Sequence, residues 1–323
     1  MPHPTRRAFL AASALAATAG FSTAAFATYP DKPIRLVVPY GGGGMGSVFG
    51  TLVTEVLNAQ LKSAAYVDYK PGANAVIGTD LVAKAPADGY TLLMATTSSI
   101  AINPAFLPNA RYDPLKDFVP VAIVWTSRNV LFGSAELKSV KDLVALGKKR
   151  PLQYGSLGVG TLAHLSSEML LRATGIEAVH VPFKGQGQIM TEVAAGRLDF
   201  AFTDPTGLAL AQGGKVNALA VTGKARLGVA ASVPTLAESG FPTVGTESWI
   251  AILAPAGTPR DVVEKLSNAL SAGFSTEAMK AKVAATGSEV APNMTPAFFD
   301  RELRSELVRW KKFQQETRIT IEQ

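Results

Sequence analysis

The sequence predicts two α/β domains of one plan, each a largely parallel sheet with helices on its faces. Three observations carry this. An apolar run, Ile34 to Val38, enters a glycine turn, Pro39 to Ser47, which opens a helix from Val48 to Leu61. The same order returns at Leu152-Gln153-Tyr154, then Gly155 to Thr161, then a helix from Leu162 to Ala173, with corresponding elements about 108 to 115 residues apart. A length of 323 residues also suits about two domains.

Within the first half, Ala65 to Tyr69 reads as a second strand. It enters the turn Lys70-Pro71-Gly72-Ala73-Asn74, and a helix follows from Ala75 to Ala85, stopped by Pro86. Ala87-Asp88-Gly89 leads into a third strand, Tyr90 to Ala95, which ends in the polar cluster Thr96 to Ser99. Strands alternating with helices through short loops make a parallel sheet. Asn103 to Pro120, with four prolines, reads as loop. The apolar run Val121 to Phe132, broken by Ser127-Arg128-Asn129, is long enough to cross into a second domain. There Ala178 to Pro182 enters Phe183 to Gly187, a helix runs to Ala195, and Leu198 to Phe202 ends in Thr203-Asp204-Pro205-Thr206. Asn217 to Thr222 reads as a strand and Pro234 to Gly240 as a short helix. Trp249 to Ala254 could cross back. Helices Arg260 to Phe274, Thr276 to Thr286 and Pro296 to about Thr317 are assigned to the first domain, the last with Thr295 as N-cap and Pro296 in the first turn. The expected domains are therefore 28–125 with 250–323, and 126–249.

Residues 1–27 read as an export signal. Thr5-Arg6-Arg7-Ala8-Phe9-Leu10 is a twin-arginine motif, followed by an Ala-rich stretch ending in Ala25-Phe26-Ala27, so cleavage is expected between Ala27 and Thr28. The composition, 47% apolar and 17% charged, is that of a globular chain. Its net charge of +6 falls to +4 without Arg6 and Arg7, 29 basic against 25 acidic residues, and no basic run suggests nucleic acid. With no cysteine, disulfides, thiol catalysis and Cys-ligated metals are excluded. Outside the signal the only histidines are His164 and His180.

Ligands on open α/β sheets sit at the carboxyl ends of strands, which here end in glycine turns that open helices. Backbone N–H groups at such turns favour an anion. A helix terminus supplies about 0.3–1 kcal/mol, or about 2 when partly buried. Micromolar binding needs roughly 8 kcal/mol, so hydrogen bonds from Ser47, Ser156, Thr161 and backbone N–H groups are expected to add to two helix ends. The expected contacts are Tyr40, Gly43, Gly44, Met45, Gly46, Ser47, Ala73 and Thr97 from the first domain. Ser156, Gly158, Gly160, Thr161, His164 and Asp204 come from the second. Several of these residues have plainer readings. Gly155-Ser156-Leu157-Gly158 is not a G-x-S-x-G elbow, so His164 reads as a structural residue or a support of the Ser156 loop rather than a catalyst. Asp204 is either a cleft residue or a turn-former before Pro205, and His180 in its short strand reads as structural. No catalytic residue, metal or cofactor is expected. The alternative is a twin-arginine-exported NAD(P)-dependent oxidoreductase. Gly41-x-Gly43-x-x-Gly46 fits the dinucleotide pattern, and Asp68 at the end of the second strand stands where a ribose-binding acid belongs. The second, equivalent turn at Gly155 to Thr161 counts against it.

The chain also resembles a known family. Tyr29-Pro30-x-Lys32-Pro33-Ile34-Arg35, Val38-Pro39-Tyr40, Lys70-Pro71-Gly72-Ala73, Ala87-Asp88-Gly89-Tyr90-Thr91-Leu92, Asn103-Pro104 and Tyr112-Asp113-Pro114 match the solute-binding receptors of tripartite tricarboxylate transporters, the Bug proteins. So do Tyr154-Gly155-Ser156 with Gly158, Gly160 and His164-Leu165, His180 to Gly185, Val233 to Glu238, and Ala254 to Pro259. The resemblance implies a type II periplasmic binding fold that closes like a Venus flytrap on a small organic carboxylate. It also implies a monomeric receptor that serves membrane permease subunits. Tyr40 to Ser47 and Ser156 to Thr161 would hold carboxylates, partly through water. The sequence departs from the family's usual Pro-Gly-Gly-x-Thr-Asp, with Gly46-Ser47 in place of Thr-Asp and Gly50-Thr51 in place of Ala-Arg. It also has Ala73-Asn74-Ala75 in place of Ala-Gly-Gly. An absent acid at 47 and an apolar Met45 suggest a less polar carboxylate, aromatic or long-chain.

Overall fold

The computed structural model describes residues 29–42, 45–107, 110–245 and 247–317, in which the two expected repeats become two sheets. The twin-arginine stretch, the expected cleavage point, Gly43 and Gly44 lie outside the described residues, as does the side chain of Met45. Both sheets belong to one unit, Lys32–Gln323.

In chain order the strands are β1 (Arg35–Val38), β2 (Tyr66–Tyr69), β3 (Thr91–Thr96), β4 (Phe118–Arg128), β5 (Val130–Ser134), β6 (Leu152–Ser156), β7 (Ala178–Pro182), β8 (Phe200–Thr203), β9 (Val216–Val221), β10 (Glu247–Pro255) and β11 (Glu289–Val290). The helices are α1 (Met45–Leu61), α2 (Val76–Ala83), α3 (Asn103–Phe106), α4 (Val140–Gly147), α5 (Leu162–Thr174), α6 (Gln186–Ala194), α7 (Leu208–Gln212), α8 (Arg260–Phe274), α9 (Glu277–Ala284) and α10 (Pro296–Thr317). One sheet has the order β11-β4-β10-β3-β1-β2, the other β7-β6-β8-β5-β9.

Strand direction positions the site. β1 runs parallel to β2 and β3, while β10 is antiparallel to both β3 and β4, so β4 runs with β1, β2 and β3. β4 ends at Arg128, the chain passes through Asn129, and β5 begins the second sheet at Val130. β8 and β9 are antiparallel to β5, and β6 is parallel to β7 and β8. These four strands therefore run back toward the crossing. The carboxyl ends of the parallel strands of both sheets meet at the junction between the lobes.

Hydrogen bonds and ion pairs fix that junction. Asn129 N–H donates to Thr222 Oγ1 at 2.9 Å, and Thr222 N–H donates to Asn129 O at 2.8 Å. Arg128, nearly buried, reaches Glu247 Oε1 at 3.1 Å and Glu289 Oε2 at 2.8 Å, tying the outgoing strand to the returning one and to β11.

Each sheet is covered on both faces. In the first lobe the fully buried Trp125 lies between Phe49 of α1 and Phe274 of α8, at centroid distances of 4.1 and 5.6 Å. In the second, alternation along β8 sends Phe200 and Phe202 to one face with Leu143 and Leu170. Ala201 joins Ile189 and Val193 on the other. Each such large side chain contributes about 1.5–3 kcal/mol by leaving water.

Several elements differ from expectation. Part of the supposed loop after Asn103 is helical: a π-helical turn, Ser98–Ile102, continues into α3. Pro104 lies in the first turn of α3, where its missing N–H costs nothing. Pro120 lies inside β4, at a register shift against β10 that relieves the missing donor. Pro234 to Gly240 is a turn rather than a helix. Thr235 N–H donates to Glu238 Oε2 at 2.7 Å and Glu238 N–H to Thr235 Oγ1 at 3.0 Å, a capping pair, while Thr235 itself bridges to β9. The short strand β11 had no sequence signal.

Candidate functional site

The turn that follows β6 is braced from within. Ser156, fully buried at the end of the strand, accepts from Gly158 N–H at 3.1 Å and lies 3.0 Å from Gly158 O. Its Oγ is also 2.7 Å from His180 Nε2 on β7. Thr161 caps α5: its hydroxyl donates to Gly158 O at 2.8 Å and accepts His164 N–H at 3.4 Å. His164 Nδ1 accepts Gly160 N–H at 3.4 Å. The hydroxyls of Ser156 and Thr161 thus bond within the turn. What the turn can offer an anion is its backbone.

His164 and His180 lie side by side, centroids 4.6 Å apart, and the Tyr154 ring stacks on His180 at 5.0 Å. Burial, then the neighbouring His180, pushes His164 down to about 4. Burial also lowers His180, although Glu168 opposes it. Tyr154 OH donates to Glu168 Oε1 at 2.6 Å. Sequence reasoning took His180 as structural. The missed signal is register: His180 pairs with Tyr154, two residues from Ser156, which puts all three on one face of the sheet.

In the first lobe, the turn after β1 is held at Tyr40, whose OH is 2.5 Å from Thr96 Oγ1 at the end of β3. Burial raises the Tyr40 hydroxyl's pKa, while hydrogen bonds to Thr96 and Ser99 oppose it. Thr96 N–H donates to Ser99 Oγ at 2.9 Å, and Tyr112 OH donates to Ser99 O. α2 lies hard under this turn, since a Cβ at Gly78 would stand 2.7 Å from Lys70 O and 2.8 Å from Pro39 Cβ. The turn between β2 and α2 carries three consecutive non-glycine residues in left-handed conformation: Ala73 (φ 46°), Asn74 (φ 50°) and Ala75 (φ 72°). Asn103 Nδ2 holds Asn74 O at 2.6 Å, and Asn74 Nδ2 donates to Asn103 Oδ1 at 3.1 Å.

The expected site residues fall into two groups. Tyr40, Met45, Gly46, Ser47 and Ala73 lie at the junction end of the first sheet, and Ser156, Gly158, Gly160, Thr161 and His164 at that of the second. Thr97 and Asp204 are otherwise engaged. Thr97, 1% exposed, accepts Trp249 N–H at 3.0 Å, and Asp204 Oδ1 accepts from Thr206 N–H at 2.9 Å as the cap of a 3-10 turn. Asp68 is committed to two cations, with Arg35 Nη2 at 2.5 Å and Lys70 Nζ at 3.2 Å. Slight burial opposes them, yet they hold its carboxyl below the usual range. Among the described residues no cluster of three His, Asp or Glu could hold a metal ion.

Helix N-termini show one further pattern. α1, α2, α5 and α6 all start past the carboxyl ends of parallel strands, and none has an acid in its first turn. Of the helices that start elsewhere, α4, α8 and α9 carry Asp142, Asp261 and Glu277 there, while α3, α7 and α10 carry no acid in the first turn. Four positive helix ends at the junction are left without an acidic residue of their own.

A family model described as tripartite tricarboxylate transporter family receptor matches residues 51–318. The chain belongs to this receptor family. Protein BugT of Bordetella pertussis is 32% identical to this receptor, with 93% of this chain and 94% of BugT covered. A structure of an R. palustris protein with adipate superposes with a TM-score of 0.78 at 31% identity, covering 89% of this receptor and 97% of that chain. MatC from Rhodopseudomonas palustris with bound malate superposes at 0.75 with 25% identity, covering 88% and 99%. The receptor's fold is that of a two-domain periplasmic binding protein, and its part in transport is to bind a solute.

Proposed function

We propose that the receptor is exported to the periplasm, captures an organic carboxylate between its two lobes, and hands it to the membrane subunits of a tripartite tricarboxylate transporter. The observation that carries this reading is the set of four helix N-termini at the junction, all without an acid in the first turn. An anion there gains from main-chain donors and meets no carboxylate on those first turns. The structures with adipate and malate are of proteins similar to this one, which supports the same ligand class here. Residues 1–27 would serve as the export signal, and among the described residues no helix is long and apolar enough to cross a membrane.

The lobes 28–125 with 250–323, and 126–249, would act as the two jaws, moving about the crossings at Asn129 and between β9 and β10. Leu157 and Val159 are exposed on the second turn and Val48 in the first turn of α1, at 48%, 43% and 42%. Such an apolar rim suits a carboxylate with an apolar body, aromatic or long-chain. Thermal melts of the protein with mono-, di- and tricarboxylates test the reading. A rise in Tm with at least one carboxylate is expected. A rise with a nicotinamide dinucleotide and with no carboxylate would replace it by the oxidoreductase.

A further inference from the structure

Two of the hydrogen bonds that brace the second turn end on imidazoles. His180 Nε2 holds Ser156 Oγ at 2.7 Å, His164 Nδ1 holds Gly160 N–H at 3.4 Å, and the rings lie 4.6 Å apart behind the turn. His164 is only 6% exposed. The titratable and charged groups that face the pair are Tyr154 of β6 and Glu168 of α5, themselves joined at 2.6 Å. We infer that carboxylate capture is coupled to uptake of a proton from solvent by the His164–His180 pair, which makes both histidines positioning residues of the anion site. This rests on the carboxylate reading above.

The hydrogen bonds permit the proton at either ring. A proton on His180 Nε2 is donated to Ser156 Oγ, and the serine hydroxyl then donates to Gly158 O, 3.0 Å away, with no heavy atom displaced. A proton on His164 Nδ1 removes the acceptor of Gly160 N–H and frees that donor for the ligand. In both cases the protonated pair sets a cation behind the turn. An anion on the turn and a cation behind it stabilise each other, more strongly for groups shielded from water. Burial keeps the unliganded pair neutral near pH 7, so the charge is taken up when the anion arrives.

Calorimetric titration of the full chain with adipate, with malate and benzoate in parallel, tests this at pH 6.5 in buffers of different ionisation enthalpy. The expected result is buffer-dependent heat equivalent to a fraction of a proton taken up per carboxylate. Affinity is expected to rise roughly tenfold between pH 8 and pH 5.5. The double variant His164→Gln with His180→Gln should bind more weakly, show no uptake beyond the ligand's own titration, and lose the pH dependence. Wild-type binding with no buffer-dependent heat would overturn the inference and leave the carboxylate reading standing. So would uptake that persists unchanged in the double variant. If no carboxylate binds or shifts the melt, the functional reading fails and this inference with it.

Discussion

The two turns that open toward the junction are built differently. The turn after β6 is held by its own side chains: Ser156 and Thr161 bond to Gly158, and His180 and His164 close on them from behind. In the turn after β1, among the described residues, Tyr40 is held against Thr96, and a Cβ added at Gly41 would meet nothing within 4 Å. Its neighbour, the turn at Gly72 to Ala75, is held by Asn103 and strained in its backbone. The second lobe thus presents a turn braced by side chains of its own lobe at both ends, while among the described residues the first lobe's turn has its brace at Tyr40. Under the proposed closure, the braced turn would offer its donors already in place, and the opposite lobe would complete the grip.

Putting a charge into the braced turn has the largest expected effect. Asp is as good an N-cap as Thr, but its carboxylate cannot replace the hydroxyl's donation to Gly158 O, so Thr161→Asp should leave the free protein folded with a melting temperature lowered by a few degrees. It also sets a carboxylate among the N–H groups proposed to receive the ligand. At about 5 Å and an effective dielectric constant of about 20 this repulsion is about 3 kcal/mol, a loss of affinity of more than about 100-fold. Calorimetry with the carboxylate found in the melting screen measures it. Unchanged affinity would remove the second turn from the site.

Next in size is a difference in pH response. Burial, with His180 beside it, holds His164 down at about 4 in the folded protein, against about 6.5 for a solvated imidazole in the unfolded chain. Between those values the unfolded chain binds a proton that the folded one does not. Stability present above pH 6.5 is therefore lost as pH falls toward 4, by about 2–3 kcal/mol. Urea unfolding of wild type and His164→Gln across pH 4 to 7 should show the variant losing less. Identical slopes would mean that the braced turn carries no such penalty.

The smallest effect belongs to the first lobe. Ala73 is exposed and left-handed, a conformation that costs an L-residue about 1–2 kcal/mol. Gly gives back about 0.4–1 kcal/mol through the greater freedom of the unfolded chain. Ala73→Gly should thus stabilise the protein by about 0.5–1 kcal/mol in urea melts. A loss of stability would mean that the Ala73 methyl makes contacts that outweigh the strain.

The repeat of strand, glycine turn and helix was legible because turn chemistry and apolar runs are local signals. It placed β1 to β3 and β6 to β9 nearly at their observed bounds and located both turns. What escaped depends on contacts distant in sequence. His180 acquires its partner from the pairing of β6 with β7, and Tyr40 from Thr96, 56 residues on. The sequence Thr235-Leu236-Ala237-Glu238 carries a helix-start signature, but the bridge from Thr235 to Val221 leaves only a turn. Strain at Ala73 and Ala75 was also hidden, since Gly72 and Asn74 are the residue types there that favour a left-handed backbone.

A grip made of main-chain N–H groups, as proposed for this receptor, would have a consequence for how such receptors diversify. Replacing the exposed Leu157 or Val159 would then alter the walls around a solute while every peptide donor stays in place. A lineage can then trade one nutrient for another through single codon changes on the rim, without passing through a receptor that has lost its hold on the carboxylate.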